Sequence, residues 1–137
     1  MIMDEKTRKL VIDHNISKSY NAIADAEYLL ERKSFHGALN RIYYGIFFII
    51  SALAVKHKYK TSKHSQLIGW FNKKYVRNEI IDRKIGKFIH TAFEQRLDSD
   101  YNPLSKFSYQ EVADDIIRIK ETIEVIERVI KADEEST

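Results

Sequence analysis

The sequence predicts an all-α protein, an up-and-down bundle of about five helices. Turn-forming residues are scarce, with one proline and four glycines in 137 residues, whereas sheet proteins need many tight turns. Apolar residues recur at helical spacing over long segments, and one segment is apolar on every side. We therefore expect a single domain at residues 1–132, followed by an acidic, frayed tail at residues 133–137.

The first helix is predicted at residues 4–33, which carry a single apolar stripe. Its members step by three or four residues along the chain: Ile12, Ile16, Tyr20, Ile23, Ala26 and Leu30. This spacing is typical of a helix with one buried face. Asn15 leaves a break near residues 13–15 open, since asparagine often caps a new helix.

The central helix is predicted at residues 34–58, with Ser34 as its N-cap. Residues 42–55 are uncharged and offer no polar face, and a helix of that kind is normally buried. The run is shorter than the roughly 20 apolar residues that a membrane span needs. Arg41 stands just before it, and because buried arginine is rare unless paired, we expect a carboxylate partner or a ligand there.

A short third helix and a longer fourth helix follow. Ser62 is expected to cap the third, which ends near Tyr75, and Asn78 or Asp82 to cap the fourth. Pro103 disfavours helical geometry in the residue before it. The fourth helix should therefore end just before this proline.

The last helix begins at a capping box, Ser108 with Glu111 three residues later. Its apolar residues repeat at heptad-like spacing, which predicts a continuous seam. The seam consists of Val112, Ile116, Ile119, Ile123, Ile126 and Ile130. It suits a core position or a contact between subunits.

Charge is distributed unevenly along the chain. The net charge is +3, but residues 56–90 hold ten Lys or Arg against two acidic residues. Such a segment is either an ordinary solvated surface or a footprint for phosphate or nucleic acid. The absence of cysteine excludes disulfides and thiolate metal sites and fits a reducing compartment. The N-terminus has no signal-peptide pattern, so we expect a cytoplasmic protein.

Several catalytic motifs are missing from the sequence. The five histidines are scattered, with no His-Glu-x-x-His pair, and there is neither a glycine-rich phosphate loop nor a Gly-x-Ser-x-Gly elbow. We therefore expect no metal and no cofactor, and we exclude the common nucleotide-binding and hydrolase folds.

Polar residues on otherwise apolar helices remain as candidates. Arg41 and Tyr44 share a face of the central helix, because they are three residues apart. Arg96 falls on the inward stripe of the fourth helix. One interpretation is structural, with an arginine paired to Asp98 or Asp100. The other is functional, with both arginines converging on a phosphate, which guanidinium groups bind well.

Three parts of the chain resemble motifs of HEPN-domain proteins, the "higher eukaryotes and prokaryotes nucleotide-binding" group. They are Ala-Leu-Asn-Arg-Ile-Tyr-Tyr-Gly-Ile-Phe at 38–47, Ser-Lys-His at 62–64 with Gly-Trp-Phe at 69–71, and Ala-Phe-Glu-Gln-Arg-Leu-Asp-Ser-Asp-Tyr at 92–101. The last part is similar to an Arg-x-x-x-Asp-Tyr pattern of small stand-alone prokaryotic members, here Arg96, Asp100 and Tyr101. Together the resemblance covers residues 15–130.

The resemblance implies a helical bundle, a homodimer, and nucleotide or RNA handling, often beside a minimal nucleotidyltransferase in a toxin–antitoxin-type pair. Ribonuclease members carry Arg-x(4–6)-His and cleave RNA without metal. Here Tyr101 holds the place of the histidine, so the motif is degenerate. Arg83 and His90 meet the spacing but lie too early on the fourth helix. Without imidazole, proton transfer near neutral pH has no obvious agent.

The leading hypothesis is a HEPN-like protein that binds nucleotide or RNA phosphate, with no membrane association. The expected binding residues are Arg41, Tyr44, Lys63, His64 and Arg96. If the protein is an enzyme, it is a metal-independent endoribonuclease toxin with a non-standard constellation, whose candidates are Arg96, Asp100 and Tyr101. A third hypothesis is a dimerisation or partner-binding module in which the arginines are buried and paired. His64 is alternatively a surface histidine at a helix start.

Overall fold

The computed structural model describes the backbone of residues 3–135 and the side chains of residues 3–132. This part of the chain is helical, with no strand, and confirms the predicted bundle of about five helices. The helices are α1 (Glu5–Glu31), α2 (Phe35–Lys56), α3 (His64–Phe71), α4 (Arg83–Tyr101) and α5 (Tyr109–Glu135), and a π-helical segment (Asn72–Val76) continues α3.

Helix α1 begins at a side-chain cap and runs without interruption. The Asp4 carboxylate accepts a hydrogen bond from the Thr7 backbone N–H at 2.7 Å, which satisfies a donor that has no partner within the helix. The helix continues through residues 13–15, so the suggested break at Asn15 is wrong. Tyr20, expected in the buried stripe, is instead exposed, and its hydroxyl donates to Glu127 at 2.5 Å.

Helix α2 lies at the centre of the bundle and packs against α1, α3, α4 and α5. Most of its aliphatic side chains are buried, but Tyr44, Phe47 and Phe48 are only half-buried. The expectation of burial on every side is therefore wrong, because the neighbouring helices leave one stripe of α2 partly open. Ser34 occupies the N-cap position, but its side chain makes no capping hydrogen bond, so that predicted role is also wrong.

By length and composition, α2 is the one helix in the described part of the chain that could cross a membrane, with a mean hydropathy of 1.6. The uncharged run at 42–55 is shorter than a membrane span, but the whole helix, with 22 residues, is long enough. The expectation from the run alone is therefore wrong about length. However, 61% of the most apolar window is buried inside the protein. Its apolar surface is thus covered mainly by the other helices, as in a core helix.

Helix α3 is short and is anchored by two apolar side chains. It begins at His64 with Lys63 at the N-cap and no side-chain capping bond, so the predicted cap at Ser62 is wrong. Leu67 and Phe71 are buried and attach the helix to the core. The predicted end near Tyr75 coincides with the π-helical segment rather than with α3 itself.

Helix α4 begins where one of the two suggested caps places it. The Asp82 carboxylate accepts from the Lys84 backbone N–H at 2.8 Å, which confirms Asp82 as the cap. Asn78 instead donates to the Lys74 carbonyl at 3.1 Å. The helix ends at Tyr101, just before Asn102 and Pro103, as the proline predicted.

Helix α5 is held at its start by Ser108, whose hydroxyl accepts from the Glu111 backbone N–H at 3.1 Å. All six residues of its apolar seam are buried in the core of the protomer. A role for this seam between subunits is therefore wrong. The helix extends to Glu135, into the predicted tail, while residues 136–137 lie outside the described part. The domain boundary at residue 132 stays a prediction.

Candidate functional site

Two arginines from different helices converge on adjacent tyrosines of α2. The guanidinium carbon of Arg41 lies 5.0 Å from the centre of the Tyr44 ring. That of Arg96, from α4, lies 4.9 Å from the Tyr43 ring and 6.0 Å from the Tyr44 ring. These separations are within the range of cation–π attraction. The two arginines therefore meet beside one ring within a single subunit.

Arg41 is held by an amide and a ring rather than by a carboxylate. Its Nε and Nη2 groups donate to the Asn40 side-chain oxygen at 3.3 and 3.0 Å. Within the described part of the chain it makes no ion pair, and Nη1 has no hydrogen-bond acceptor. Of the two partners expected for Arg41, the carboxylate is absent there. A half-buried guanidinium thus retains donors for an anion.

Arg96 has the carboxylate partner that one interpretation predicted. Its Nε lies 3.0 Å from an Asp100 carboxylate oxygen, one helical turn away, and the two side chains are 20% and 32% exposed. Asp98 instead accepts from the Asn102 side chain at 3.0 Å. Because Asp100 approaches Nε, the two terminal nitrogens of Arg96 are left for a ligand, in the geometry that suits two phosphate oxygens.

His64 joins the same cluster from the start of α3. Its Nδ1 lies 2.7 Å from the Tyr43 hydroxyl oxygen, and its ring centre lies 4.0 Å from that of Phe47. Burial, and next the charge of Arg96, lower the pKa of His64 below its usual 6.5. The interpretation of His64 as an exposed surface histidine is therefore wrong. Its imidazole is half-buried and neutral at neutral pH.

Tyr43 contacts both His64 and Arg96. Its side chain is fully buried in the core, and burial raises the pKa of Tyr43 to about 12, against the opposing effect of the Arg96 charge. The hydroxyl therefore stays protonated, and it can donate to His64 or accept from it. Tyr43 holds both the histidine and the second arginine in place.

Other predicted residues lie at the edge of this cluster or outside it. Lys63 directly precedes His64 and is exposed. Tyr101 is 76% exposed at the end of α4. His90 is exposed and pairs with Glu94 at 3.0 Å, so its spacing from Arg83 does not bring it to the site. Among the described residues, no group of three His, Asp or Glu side chains could hold a metal ion.

Sequence reasoning missed Asn40, Tyr43 and Phe47 as parts of the site. Phe47 lies one turn after Tyr44, so helical spacing could have indicated it, whereas Asn40 directly precedes Arg41 and helical spacing does not indicate their contact. No local pattern indicates the contact between Tyr43 and His64, which lie 21 residues apart.

Beside Phe47, a cavity of about 590 Å³ extends to the connector after α2, with Ser51 and Tyr59 in its lining.

The basic segment at 56–90 is divided between structural and exposed positions. Lys56 donates to the Ile130 carbonyl at 2.5 Å, and the Lys74 ammonium lies 5.5 Å from the Trp70 ring, so these charges have internal partners. Lys73 and Arg77 are exposed. The segment therefore keeps exposed basic side chains directly after α3 in the chain.

The fold and the site define an all-α bundle whose central helix carries paired aromatic residues flanked by two arginines and a histidine. The family model for the HEPN domain matches residues 13–135, and the chain belongs to the HEPN family. This confirms the resemblance seen in the sequence.

Two relatives extend the comparison. A UPF0332 protein of Thermotoga maritima is 33% identical over 129 residues, which cover 94% of this chain and 96% of the relative. A protein of Methanocaldococcus jannaschii named "Putative toxin" is 24% identical over 103 residues, which cover 75% of this chain and 70% of that protein.

Proposed function

We propose that this HEPN protein binds nucleotide or RNA phosphate between Arg41 and Arg96, as one component of a toxin–antitoxin pair. The observation that carries the proposal is the Tyr44 ring, which lies within 6.0 Å of both guanidinium carbons. Two positive charges that flank one ring attract an anion more strongly than either charge alone. The toxin-named relative supports the toxin component of the proposal.

The surroundings of the arginines suit a nucleotide better than a small inorganic anion. The half-buried rings of Tyr44 and Phe47 offer faces on which a base can stack, and such stacking contributes about 1–3 kcal/mol per base. Asp100 would keep Arg96 oriented, and Lys63 and His64 would contact the phosphate from α3. Exposed Lys73 and Arg77 would attract the remaining backbone phosphates.

Binding of a labelled, short single-stranded RNA tests this proposal. Arg41→Gln and Arg96→Gln should each weaken binding at least about tenfold, because a hydrogen bond to a charged group contributes about 1.5–3 kcal/mol. Arg32→Gln is the matched control, since Arg32, which directly follows α1, also packs on a tyrosine ring, that of Tyr28, at 5.6 Å. Equal affinity for all four proteins would contradict the proposal.

We also propose a homodimer that forms along the half-buried stripe of α2. Phe48 lies 5.9 Å from the rings of both Tyr44 and Phe47, so a second copy seated on Phe48 would bring two sites to one cleft and leave the other two rings to the base. Light scattering should show a dimer for the wild type and a monomer for Phe48→Asp. Leu10→Asp, which alters an isolated exposed leucine on α1, should leave the dimer intact. A monomeric wild type would overturn this proposal.

The antitoxin partner that we propose is a minimal nucleotidyltransferase in the cytoplasm. Tyr101 at the end of α4 and Leu104 just after it are exposed and would present apolar surface to it. Co-expression with such a protein encoded by a neighbouring gene, followed by co-purification, tests the pairing. Leu104→Asp should abolish the complex, and Ile80→Asp, which alters an exposed isoleucine far along the sequence, should not. Failure of the wild types to co-purify would contradict the pairing.

The alternative of a partner-binding module without a ligand has less support. It requires both arginines to be buried and paired with carboxylates. Arg41 is only half-buried and meets an amide oxygen instead. The ribonuclease alternative, by contrast, is favoured by the imidazole of His64, which lies within the arginine cluster.

A further inference from the structure

The site contains an imidazole that does not come from the helix on which the ribonuclease motif would place it. His64 reaches the cluster from α3, where it contacts Tyr43 and Phe47. We propose that His64 is the general base of a metal-independent RNA transesterification at this site, in place of the histidine missing after Arg96. This rests on the proposed function, because the RNA phosphate must first be bound by the two arginines.

The contacts of His64 leave one ring nitrogen for substrate. Nδ1 is occupied by the Tyr43 hydroxyl at 2.7 Å, and the Phe47 ring, tilted by 34° at 4.0 Å, supports one face of the imidazole. Within the described part of the chain, Nε2 has no hydrogen-bond partner. A ring fixed through one nitrogen and a face, with the other nitrogen open, is the arrangement that general-base catalysis needs.

The histidine and the second arginine are positioned by the same side chain. The Tyr43 ring lies 5.8 Å from the imidazole centre and 4.9 Å from the Arg96 guanidinium carbon. A phosphate bound to Arg96 therefore lies near His64 as well. The Arg41 guanidinium reaches the same area over the neighbouring ring of Tyr44.

The contact with Tyr43 is compatible with the form of the imidazole that can act as a base. When Nδ1–H donates to the Tyr43 oxygen, Nε2 carries the lone pair that accepts a proton. After proton uptake, Nδ1–H still donates to the same oxygen, so the ring keeps its position. Tyr43 is thus a positioning residue. The lowered pKa of His64 supports the role of His64 as the base, because the neutral imidazole predominates at neutral pH.

The reaction needs no co-reactant. The ribose 2′-oxygen attacks the adjacent phosphorus, and its proton passes to Nε2 of His64. The bond between phosphorus and the 5′-oxygen breaks, and that oxygen takes a proton from solvent while His64 returns its proton to solvent. The products are a 2′,3′-cyclic phosphate and a 5′-hydroxyl end. Arg41 and Arg96 stabilise the negative charge that develops on the phosphoryl oxygens.

The test separates binding from cleavage. Wild type and variants are incubated in EDTA with a short, mixed-sequence RNA, and the ends of the products are identified. Binding is measured in parallel on the same sequence with 2′-O-methyl groups, which prevent attack. His64→Asn keeps a polar group near Tyr43 but cannot accept the proton. It should slow cleavage by about 10²–10⁴-fold, whereas binding, which depends mainly on the two arginines, should weaken far less.

Two further variants control the experiment. His90→Asn removes an exposed histidine of α4 that pairs only with Glu94 among the described residues and should cleave like the wild type. Tyr43→Phe keeps the ring beneath Arg96, so RNA binding should persist while cleavage slows and its pH profile shifts. Thermal unfolding confirms that each variant is folded, and His64→Gln replaces His64→Asn if the latter is not.

Each outcome has a distinct meaning. Wild-type protein that binds the methylated RNA but does not cleave the unmodified RNA overturns the assignment of His64 and leaves the proposed function intact. Wild-type protein that does not bind overturns the proposed function itself. Cleavage by His64→Asn at the wild-type rate shows that another group is the base. Cleavage by the wild type, lost in His64→Asn with binding retained, supports the inference.

Discussion

Replacing Asp115 by asparagine should stabilise the protein at neutral pH. Asp115 lies on α5 and is 2% exposed. One carboxylate oxygen accepts from Arg118 at 3.2 Å, but the other is buried without a hydrogen-bond partner, as is the side-chain oxygen of Gln95 on α4. Burial raises the pKa of Asp115, although Arg118 and Gln95 oppose this effect. Folding therefore disfavours the charged form of this carboxylate relative to the unfolded chain.

The magnitude follows from what asparagine keeps and what it adds. Its oxygen can still accept from Arg118, and its N–H₂ group can donate to Gln95, whose side chain interacts with residue 115 and whose oxygen, otherwise without a partner, faces it once the amide is turned over. Satisfying a buried acceptor contributes about 1–3 kcal/mol. Loss of the charge weakens an ion pair whose arginine is 58% exposed, which costs about 0–1 kcal/mol. The net gain of about 1 kcal/mol corresponds to a rise of about 4 °C in the unfolding midpoint.

Thermal unfolding at two pH values tests the reasoning. Because the folded-state pKa of Asp115 lies above its unfolded value, the destabilisation is present above the folded-state pKa and disappears as the pH falls through it. The advantage of Asp115→Asn should therefore shrink in acid. Asp114→Asn is the control, since Asp114 accepts from the Gln110 side chain at 2.8 Å and is less buried. An equal gain at both pH values, or a less stable variant at neutral pH, would refute the argument.

Three further predictions concern capping, proton transfer and charge. Ser108→Ala should lower the free energy of unfolding by about 1 kcal/mol, since a helix cap is lost, whereas Ser62→Ala, which removes no cap, should leave it unchanged in chemical denaturation. RNA cleavage should decline as the pH falls through the lowered pKa of His64, because only neutral imidazole accepts a proton; a rate that stays constant there would exclude His64 as the base. Lys73→Gln and Arg77→Gln should each reduce the salt dependence of RNA binding by about 0.7 in the slope of log affinity against log salt. Lys9→Gln, on α1, should not change that slope, and identical slopes for all variants would mean that the basic segment is an ordinary solvated surface.

The part of the fold that could be predicted from the sequence is the part that local patterns specify. Helical spacing predicted α1 and α5, and Asp82 and Ser108 marked true helix starts because a side-chain oxygen and a backbone N–H lie within one turn. Ser34 and Ser62 carry the same signal, yet neither side chain makes a capping bond. A serine in the right position is thus insufficient where the approaching chain sets a different geometry.

In the site, too, contacts within one helix could be predicted from the sequence, and contacts between helices could not. The shared face of Arg41 and Tyr44 and the pair of Arg96 with Asp100 follow from spacings of three and four residues within one helix. The approach of Arg96 to Tyr44, and of His64 to Tyr43, depends on how α3 and α4 pack on α2. That packing is set by the whole core, so no short pattern could predict it. The partly open stripe of α2 could not be predicted, because its aromatic residues are of types that also occur in protein cores.

The shortness of α3 has a consequence for how the chemistry of this protein can be controlled. The arginines stand on helices of 22 and 19 residues, whereas His64 stands on an eight-residue helix attached to the core mainly by Leu67 and Phe71. Local unfolding of such an element requires far less free energy than global unfolding. Hydrogen exchange in α3 should accordingly be faster than in α2. A bound protein that releases α3 would then abolish the cleavage proposed for His64 while leaving the bundle, and the proposed phosphate contacts of the two arginines, largely in place.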